Sequence, residues 1–137
     1  MSSYLELSVG KLHVLLDTIE VAEVMELVDN EKINNDYYLW REKSVRVFFM
    51  NEILANTTGN DSSDQAGIIY QSNEQSPILL VVDRIEKMWN LEGNEFIEMP
   101  TINEKLSALF DGIYSASVER QLLKFKIPVT EQGLEQC

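Results

Sequence analysis

The chain has 137 residues, which fits one domain, and its hydrophobic fraction of 45% is enough to form a buried core. Asp and Glu number 23 against 11 Lys and Arg, so the net charge at neutral pH is −12. Because a surface this negative repels phosphate backbones and anionic lipids, the composition argues against nucleic acid as a partner and against direct membrane insertion.

The first residues predict a β-hairpin. Leu5, Leu7 and Val9 alternate with polar residues, which is the period of a strand with one apolar face. The alternation resumes at Leu12 after a turn at Gly10, so a second strand is expected to pair with the first. The N-terminus has no basic patch followed by an apolar run, so we expect no signal peptide.

A short helical element is expected next. Asp17 can cap a helix, and Glu20 can complete a capping box. Val21, Val24, Met25 and Val28 then fall at helical spacing, but the stretch is short and rich in β-branched residues. The pattern therefore predicts one or two helical turns that run into a strand.

The middle of the chain predicts a strand pair followed by a linker. Residues 37–49 read as two strands that turn near Glu42 to Ser44, and residues 50–54 read as a short helical exit. Residues 55–65 have almost no apolar content and carry turn-forming residues throughout. We predict a mobile linker there, between two lobes of one domain.

The second half predicts further short strands. Strands are expected over residues 66–72 and 78–82, the latter buried on both faces because it is continuously apolar. A helix is expected over 101–110, with a turn at Asp111–Gly112 and a closing hairpin across 118–121. Many short strands and few helices favour small barrels or a sandwich.

Residues that could carry catalysis are scarce. His13 is the only histidine, and its place in an alternating strand predicts a surface residue rather than a general base. The single cysteine, Cys137, cannot form an internal disulfide, which agrees with a reducing cytoplasm. The six glycines are isolated, so no phosphate-binding loop is present. We predict no catalytic, cofactor or metal site, although a small hydrolase that uses carboxylates stays open as an alternative.

Four segments, in order along the chain, resemble the CheW family of chemotaxis coupling proteins. They are residues 12–27 (LHVLLDTIEVAEVMEL), 40–54 (WREKSVRVFFMNEIL), 76–100 (SPILLVVDRIEKMWNLEGNEFIEMP) and 109–128 (LFDGIYSASVERQLLKFKIP). The resemblance covers most of the chain and implies one CheW-like domain over residues 1–137. It implies two intertwined five-stranded β-barrels that share a hydrophobic core.

The resemblance also implies a function and a set of contact residues. It implies a cytoplasmic, non-enzymatic adaptor that binds the regulatory domain of a CheA-type histidine kinase and the cytoplasmic tip of methyl-accepting chemoreceptors. Val21 and Glu23 match the V-x-E positions of the family, and Arg41 matches its arginine, which implies that they contact partners. Val21 could instead be a core residue, Glu23 a solvated one, and Arg41 an internal ion-pair partner. A structural domain with no kinase partner is a further alternative.

Other positions carry expectations of their own. Asp83 is expected to turn the chain after its strand rather than to touch a partner. The sequence departs from the family pattern at four positions, where glycine, proline, aspartate and glycine are replaced by Glu42, Arg46, Phe49 and Leu79. These departures leave open whether partner binding is retained, rewired or lost.

Overall fold

The computed structural model describes residues 2–27, 33–34, 36–55, 65–71, 76–98, 104–126, 129 and 134. These residues form twelve strands: β1 (Ser2–Val9), β2 (Leu12–Asp17), β3 (Val21–Leu27), β4 (Ile33–Asn34), β5 (Tyr37–Trp40), β6 (Lys43–Phe49), β7 (Gln65–Tyr70), β8 (Ile78–Val82), β9 (Arg84–Leu91), β10 (Ile97–Glu98), β11 (Phe110–Ser117) and β12 (Arg120–Phe125). They also form the helix α1 (Glu104–Leu109), 3₁₀ turns at Thr18–Glu20 and Gly93–Glu95, and a π-helical turn at Asn51–Ala55. The predicted mostly-β fold with short helices is confirmed. The predicted linker, apart from its two end residues, and Cys137 lie outside the described residues.

The strands form two sheets. Sheet A has the order β10-β11-β12-β2-β1-β9, and sheet B has the order β3-β7-β8-β6-β5-β4. Each sheet contains five strands of at least four residues and a two-residue strand at one edge, which is β10 in sheet A and β4 in sheet B. Since strands from both ends of the chain build sheet A around the middle segment that builds sheet B, the two sheets are intertwined as the family resemblance implies.

A central hydrophobic core lies between the sheets. Leu7 and Leu16 of sheet A pack there with Ile68 and Leu80 of sheet B, and all four side chains are fully buried. Burying a side chain of this size stabilises a fold by about 1.5–3 kcal/mol. The shared core is therefore the main attraction that joins the two sheets.

Each sheet also encloses a core of its own. Tyr4 and Leu15 are buried on the far side of sheet A, and Ile69 and Leu79 on the far side of sheet B. Strands β1 and β8 are buried on both faces, because one face enters the central core and the other enters the core of the sheet. This burial confirms the prediction for residues 78–82. The same packing also covers the face of β1 that the sequence alternation marks as polar.

The helical segment predicted after β2 is a single 3₁₀ turn. Asp17 caps it as expected, since its Oδ1 accepts the N–H of Ile19 at 2.9 Å. The Glu20 carboxylate does not close a capping box but accepts a hydrogen bond from the Tyr70 hydroxyl at 2.5 Å. Val21, Val24 and Met25 lie in β3, where pairing with β7 overrides the helical pattern, and Val28 lies outside the described residues.

The turn predicted at Asp111–Gly112 does not form. Helix α1 ends at Leu109 and β11 begins at Phe110, so both residues lie in a strand. A Cβ on Gly112 would lie 3.3 Å from the Cβ of Phe96, which is tighter than an ordinary contact. The glycine therefore serves close packing within the sheet.

The β5–β6 hairpin turns at Arg41 and Glu42, close to the predicted position. Both residues have positive φ, 48° at Arg41 and 64° at Glu42. Two left-handed residues between paired strands are typical of the type I′ hairpin turn, which favours glycine. The glycine that the family resemblance expects at position 42 would thus suit the backbone better than the glutamate present.

Candidate partner-binding groove

An open groove of about 520 Å³ lies between the two sheets. One wall is β3, an edge strand of sheet B, which contributes Val24, Met25 and Glu26. The other wall is the start of β9, an edge strand of sheet A, which contributes Arg84 and Ile85. Apolar residues bordered by charges of both signs suit the docking of another protein segment.

The structure brings two of the three predicted contact residues together. Glu23 lies on β3, and its Oε1 is 3.8 Å from a terminal nitrogen of Arg41 in the β5–β6 turn. Both side chains are largely exposed, so the pair contributes roughly 0–1 kcal/mol to stability. Because the ion pair is weak, a partner can take over either charge at little cost to the fold.

Val21 is placed differently. It begins β3 and is half-buried, packing against the central core, and the pairing of β3 with β7 shifts register between Val21 and Glu23. The structure thus supports the core alternative for its side chain. Its influence on a partner would come through the position of β3.

Arg41 is held at the hairpin tip by its neighbour. Its guanidinium lies over the Trp40 ring, 4.6 Å from the ring centroid, which adds a cation–π attraction. Trp40 itself is buried in the core of sheet B, and its indole nitrogen has no hydrogen-bond partner among the described residues. Trp40 is therefore a core residue that presents Arg41 to solvent.

Three of the four departures from the family pattern are accommodated inside sheet B. The Arg46 guanidinium lies over the Phe48 ring at 5.0 Å, and Phe49 packs against the core of the sheet. Leu79 is fully buried, and its Cδ1 occupies the space beside Gly67, where an added Cβ would lie 2.9 Å away. A glycine on the neighbouring strand thus makes room for the larger side chain at position 79.

Sequence reasoning missed a buried carboxylate in sheet A. Glu6 is fully buried, and Trp89 Nε1 donates to its Oε1 at 2.8 Å. His13 Nδ1 lies 2.8 Å from Oε2, and Arg120 forms an ion pair with the same oxygen. Burial alone would raise the pKa of Glu6, but the hydrogen bonds from Trp89, His13 and Arg120 outweigh it and hold that pKa below its usual value. His13, expected on the surface, is instead half-buried against this carboxylate.

Glu6 is a satisfied structural charge. It joins β1 to β2, β9 and β12 through its three partners. The alternation in β1 marked Glu6 as the polar face of a hairpin, and no local signal shows that this face is enclosed. Among the described residues, no group of three or more His, Cys, Asp or Glu could hold a metal ion. In the same part of the chain, no helix is long and apolar enough to cross a membrane.

Comparison with known proteins finds similarity in structure rather than in sequence. No protein-family model matches the sequence, and no curated protein matches it. Among solved structures, the scaffolding protein TtCheW from Thermoanaerobacter tengcongensis is similar, with a TM-score of 0.76 and 20% sequence identity. The match covers 92% of this chain and 89% of that chain. The fold is therefore CheW-like.

Proposed function

We propose that this chain is a non-enzymatic cytoplasmic adaptor that couples chemoreceptors to a CheA-type histidine kinase in chemotaxis-like signal transduction. The observation that carries the proposal is the fold similarity to a scaffolding protein over nearly the whole of both chains. Because one fold can serve several functions, the proposal also needs a surface that fits partners. The groove between the sheets and the β5–β6 turn supply one.

The groove suits the cytoplasmic tip of a chemoreceptor. Val24 is 46% exposed on its β3 wall, and Ile85 on the β9 wall is half-buried, so a docking segment would cover apolar surface. Glu23 precedes Val24 on β3, and its carboxylate pairs with the oppositely charged Arg41. Charges at a rim steer association and fix register, whereas apolar contacts supply most of the binding energy.

The β5–β6 hairpin adds a surface for the kinase regulatory domain. Tyr37 and Leu39 are two residues apart on β5 and so point the same way, with exposures of 46% and 67%. Arg41 and Lys43 follow them at the turn and the start of β6, in a chain of net charge −12. An apolar pair beside two cations fits a partner surface that is apolar and acidic.

The carboxyls of Glu6 and Glu86 do not favour the hydrolase alternative. A general acid that works near neutral pH needs a raised pKa. The buried carboxyl, Glu6, has a lowered pKa because three donors bind it. Glu86, which accepts from Ser8 Oγ at 2.6 Å, also has a lowered pKa because of that hydrogen bond.

Copurification tests the proposal. The tagged chain is expressed with the histidine kinases and chemoreceptors of its own genome, and we expect it to retain a CheA-type kinase and a receptor. Failure to bind any of them would leave a structural domain without a kinase partner as the better description.

A matched pair of variants then tests the hairpin surface. Arg41→Ala is expected to weaken at least one of the two associations by about fivefold to tenfold, as for loss of one interface charge. Lys126→Ala removes an exposed charge that follows β12 of sheet A, outside both proposed surfaces, and serves as the control. Equal affinities for Arg41→Ala and the parent protein, with unchanged circular dichroism, would remove Arg41 from the contact surface.

A further inference from the structure

The groove walls are set by the two places where the chain passes between the sheets. Within the described strands, β2 of sheet A leads to β3 of sheet B through the 3₁₀ turn Thr18–Glu20. Strand β8 of sheet B leads to β9 of sheet A through one residue, Asp83. Because β3 and β9 are the groove walls, each wall begins at a crossover. The angle between the sheets at these crossovers therefore decides the shape of the groove.

The Asp83 crossover is tied to both sheets by one carboxylate. Oδ2 accepts the N–H of Gly10, in the turn between β1 and β2, at 2.7 Å. Oδ1 accepts from Asn51 Nδ2, in the helical turn after β6, at 3.1 Å. The backbone N–H of Asp83 donates to the carbonyl of Ser8 at 2.9 Å. One side chain thus bridges sheet A and sheet B at the point where the chain changes sheets.

The partners of Asp83 are themselves held in place. Gly10 has a φ of 60°, a left-handed conformation that glycine adopts without strain and that directs its N–H to the carboxylate. Asn51 is only 8% exposed and follows Met50, which is fully buried in the central core. A carboxylate between two fixed donors forms charge-assisted hydrogen bonds, which are shorter and stronger than neutral ones.

The other crossover is tied in the same manner. The Thr18 hydroxyl donates to the carbonyl of Ser3 in sheet A at 3.2 Å. On the sheet B side, the backbone carbonyl of Glu20 accepts the N–H of Gln71 at 2.8 Å, and the Glu20 carboxylate accepts a hydrogen bond from the Tyr70 hydroxyl. Both ends of the boundary between the sheets are therefore fastened by polar contacts around the central core.

We propose that Asp83 is a positioning residue, whose bridge between Gly10 and Asn51 fixes the relative orientation of the two sheets and so shapes the groove. Two packed units joined by one-residue and three-residue connections can shear or rotate about those connections. The Asp83 bridge removes that freedom at the β9 wall. The groove is then already formed before a partner binds, which lowers the ordering cost of binding. The functional part of this inference rests on the proposed adaptor role, whereas the geometric part does not.

Distance measurement between spin labels tests the geometric part. In a Cys137→Ser background, labels are placed at Ser44→Cys in sheet B and Gln121→Cys in sheet A, both exposed and outside the groove. Pulsed electron–electron double resonance on the full chain should give one narrow distance distribution. Asp83→Ala is expected to broaden or shift it. An unchanged distribution in a folded Asp83→Ala protein would overturn the proposal.

Three further variants separate positioning from general stability. Asp83→Asn should restore the narrow distribution, because the new amide can accept from Gly10 and donate to Asn51 after the Asn51 amide turns over. Asn51→Ala breaks the link from Asp83 to sheet B and should broaden the distribution as Asp83→Ala does. Asp111→Ala is the control, since its carboxylate pairs with Lys124 within sheet A at 2.9 Å. If both Asp83→Ala and Asn51→Ala fail to fold, the bridge is a folding requirement and the positioning role is wrong.

Binding of the receptor tip tests the functional part. Asp83→Ala is expected to weaken the affinity for the receptor tip about tenfold, because only a fraction of the molecules would then have a groove that fits the receptor. Asp83→Asn should stay near the parent affinity. If the parent protein binds no receptor although the label distances respond as expected, the adaptor role fails and the positioning role stands. If the parent protein binds the receptor but the label distances do not respond to Asp83→Ala, the adaptor role stands and the positioning role fails.

Discussion

Replacing the buried Glu6 carboxylate should destabilise the protein more than replacing any exposed acid. Glu6 is fully buried and accepts from Trp89 Nε1, while His13 and Arg120 contact its other oxygen. Hydrogen bonds to a charged group contribute about 1.5–3 kcal/mol each. His13 and Arg120 are partly exposed, with side-chain exposures of 33% and 41%, so water replaces part of what they lose. We therefore expect Glu6→Ala to lower the free energy of unfolding by about 3–5 kcal/mol, the range for breaking a buried ion pair.

Urea unfolding followed by circular dichroism measures this loss. With a slope of about 1–3 kcal/mol per molar urea for small proteins, the midpoint should fall by roughly 1–5 M. Glu119→Ala is the matched control, because Glu119 is exposed in the turn between β11 and β12, so a loss of about 1 kcal/mol or less is expected. A loss below about 1 kcal/mol for Glu6→Ala, or equal losses for the two variants, would refute the account of Glu6 as a buried link between strands.

The pKa of Glu6 also predicts how the free energy of unfolding changes with pH. The pKa of Glu6 is lower in the folded protein than the usual 4.5, so the folded state favours its charged form. Its contribution is therefore fully present above about pH 4.5 and is lost as the pH falls through the lower, folded-state pKa. Glu6→Gln should remove this part of the acid-induced loss of stability, so its unfolding free energy should depend less steeply on pH below 4.5 than that of the parent.

Two further outcomes concern the backbone of sheet B. Gly67→Ala should lower the free energy of unfolding by about 1–3 kcal/mol, since the new Cβ would lie 2.9 Å from Leu79 Cδ1 and 3.1 Å from Leu27 Cδ1. Thermal melting measures this loss. Gly93→Ala is the control, because a Cβ at position 93 would have nothing within 4 Å, and its melting temperature should not fall. Glu42→Gly should raise the melting temperature, because φ at position 42 is 64° and glycine adopts this left-handed conformation without strain. Glycine also makes the unfolded chain more flexible, which offsets part of the gain, so we expect a net rise in the free energy of unfolding of about 0.5–1 kcal/mol. A lower melting temperature for that variant would show that the Glu42 side chain, not its backbone, matters most.

The local features of the fold could be read from the sequence. Alternation and turn residues predict the β1–β2, β5–β6 and β11–β12 hairpins, because a strand and its tight turn are set by neighbouring residues. The continuous apolar run at Ile78–Val82 predicts a strand buried on both faces for the same reason. Asp17 caps its turn, and Asp83 turns the chain after β8, each from a position next to the element that it serves.

Only the tertiary structure decided which surfaces face each other. Alternation in β1 shows that Glu6 lies opposite Leu5 and Leu7, but not that sheet A closes over that face and supplies three donors. Glu23 lies in β3, whereas Arg41 lies in the β5–β6 turn, with β4 and β5 between them in sequence. Spacing alone could therefore not predict the ion pair that they form. The groove depends on the same kind of information, because its two walls come from different sheets. A side-chain pattern specifies the face on which a residue lies, whereas the packing of distant strands specifies what covers that face.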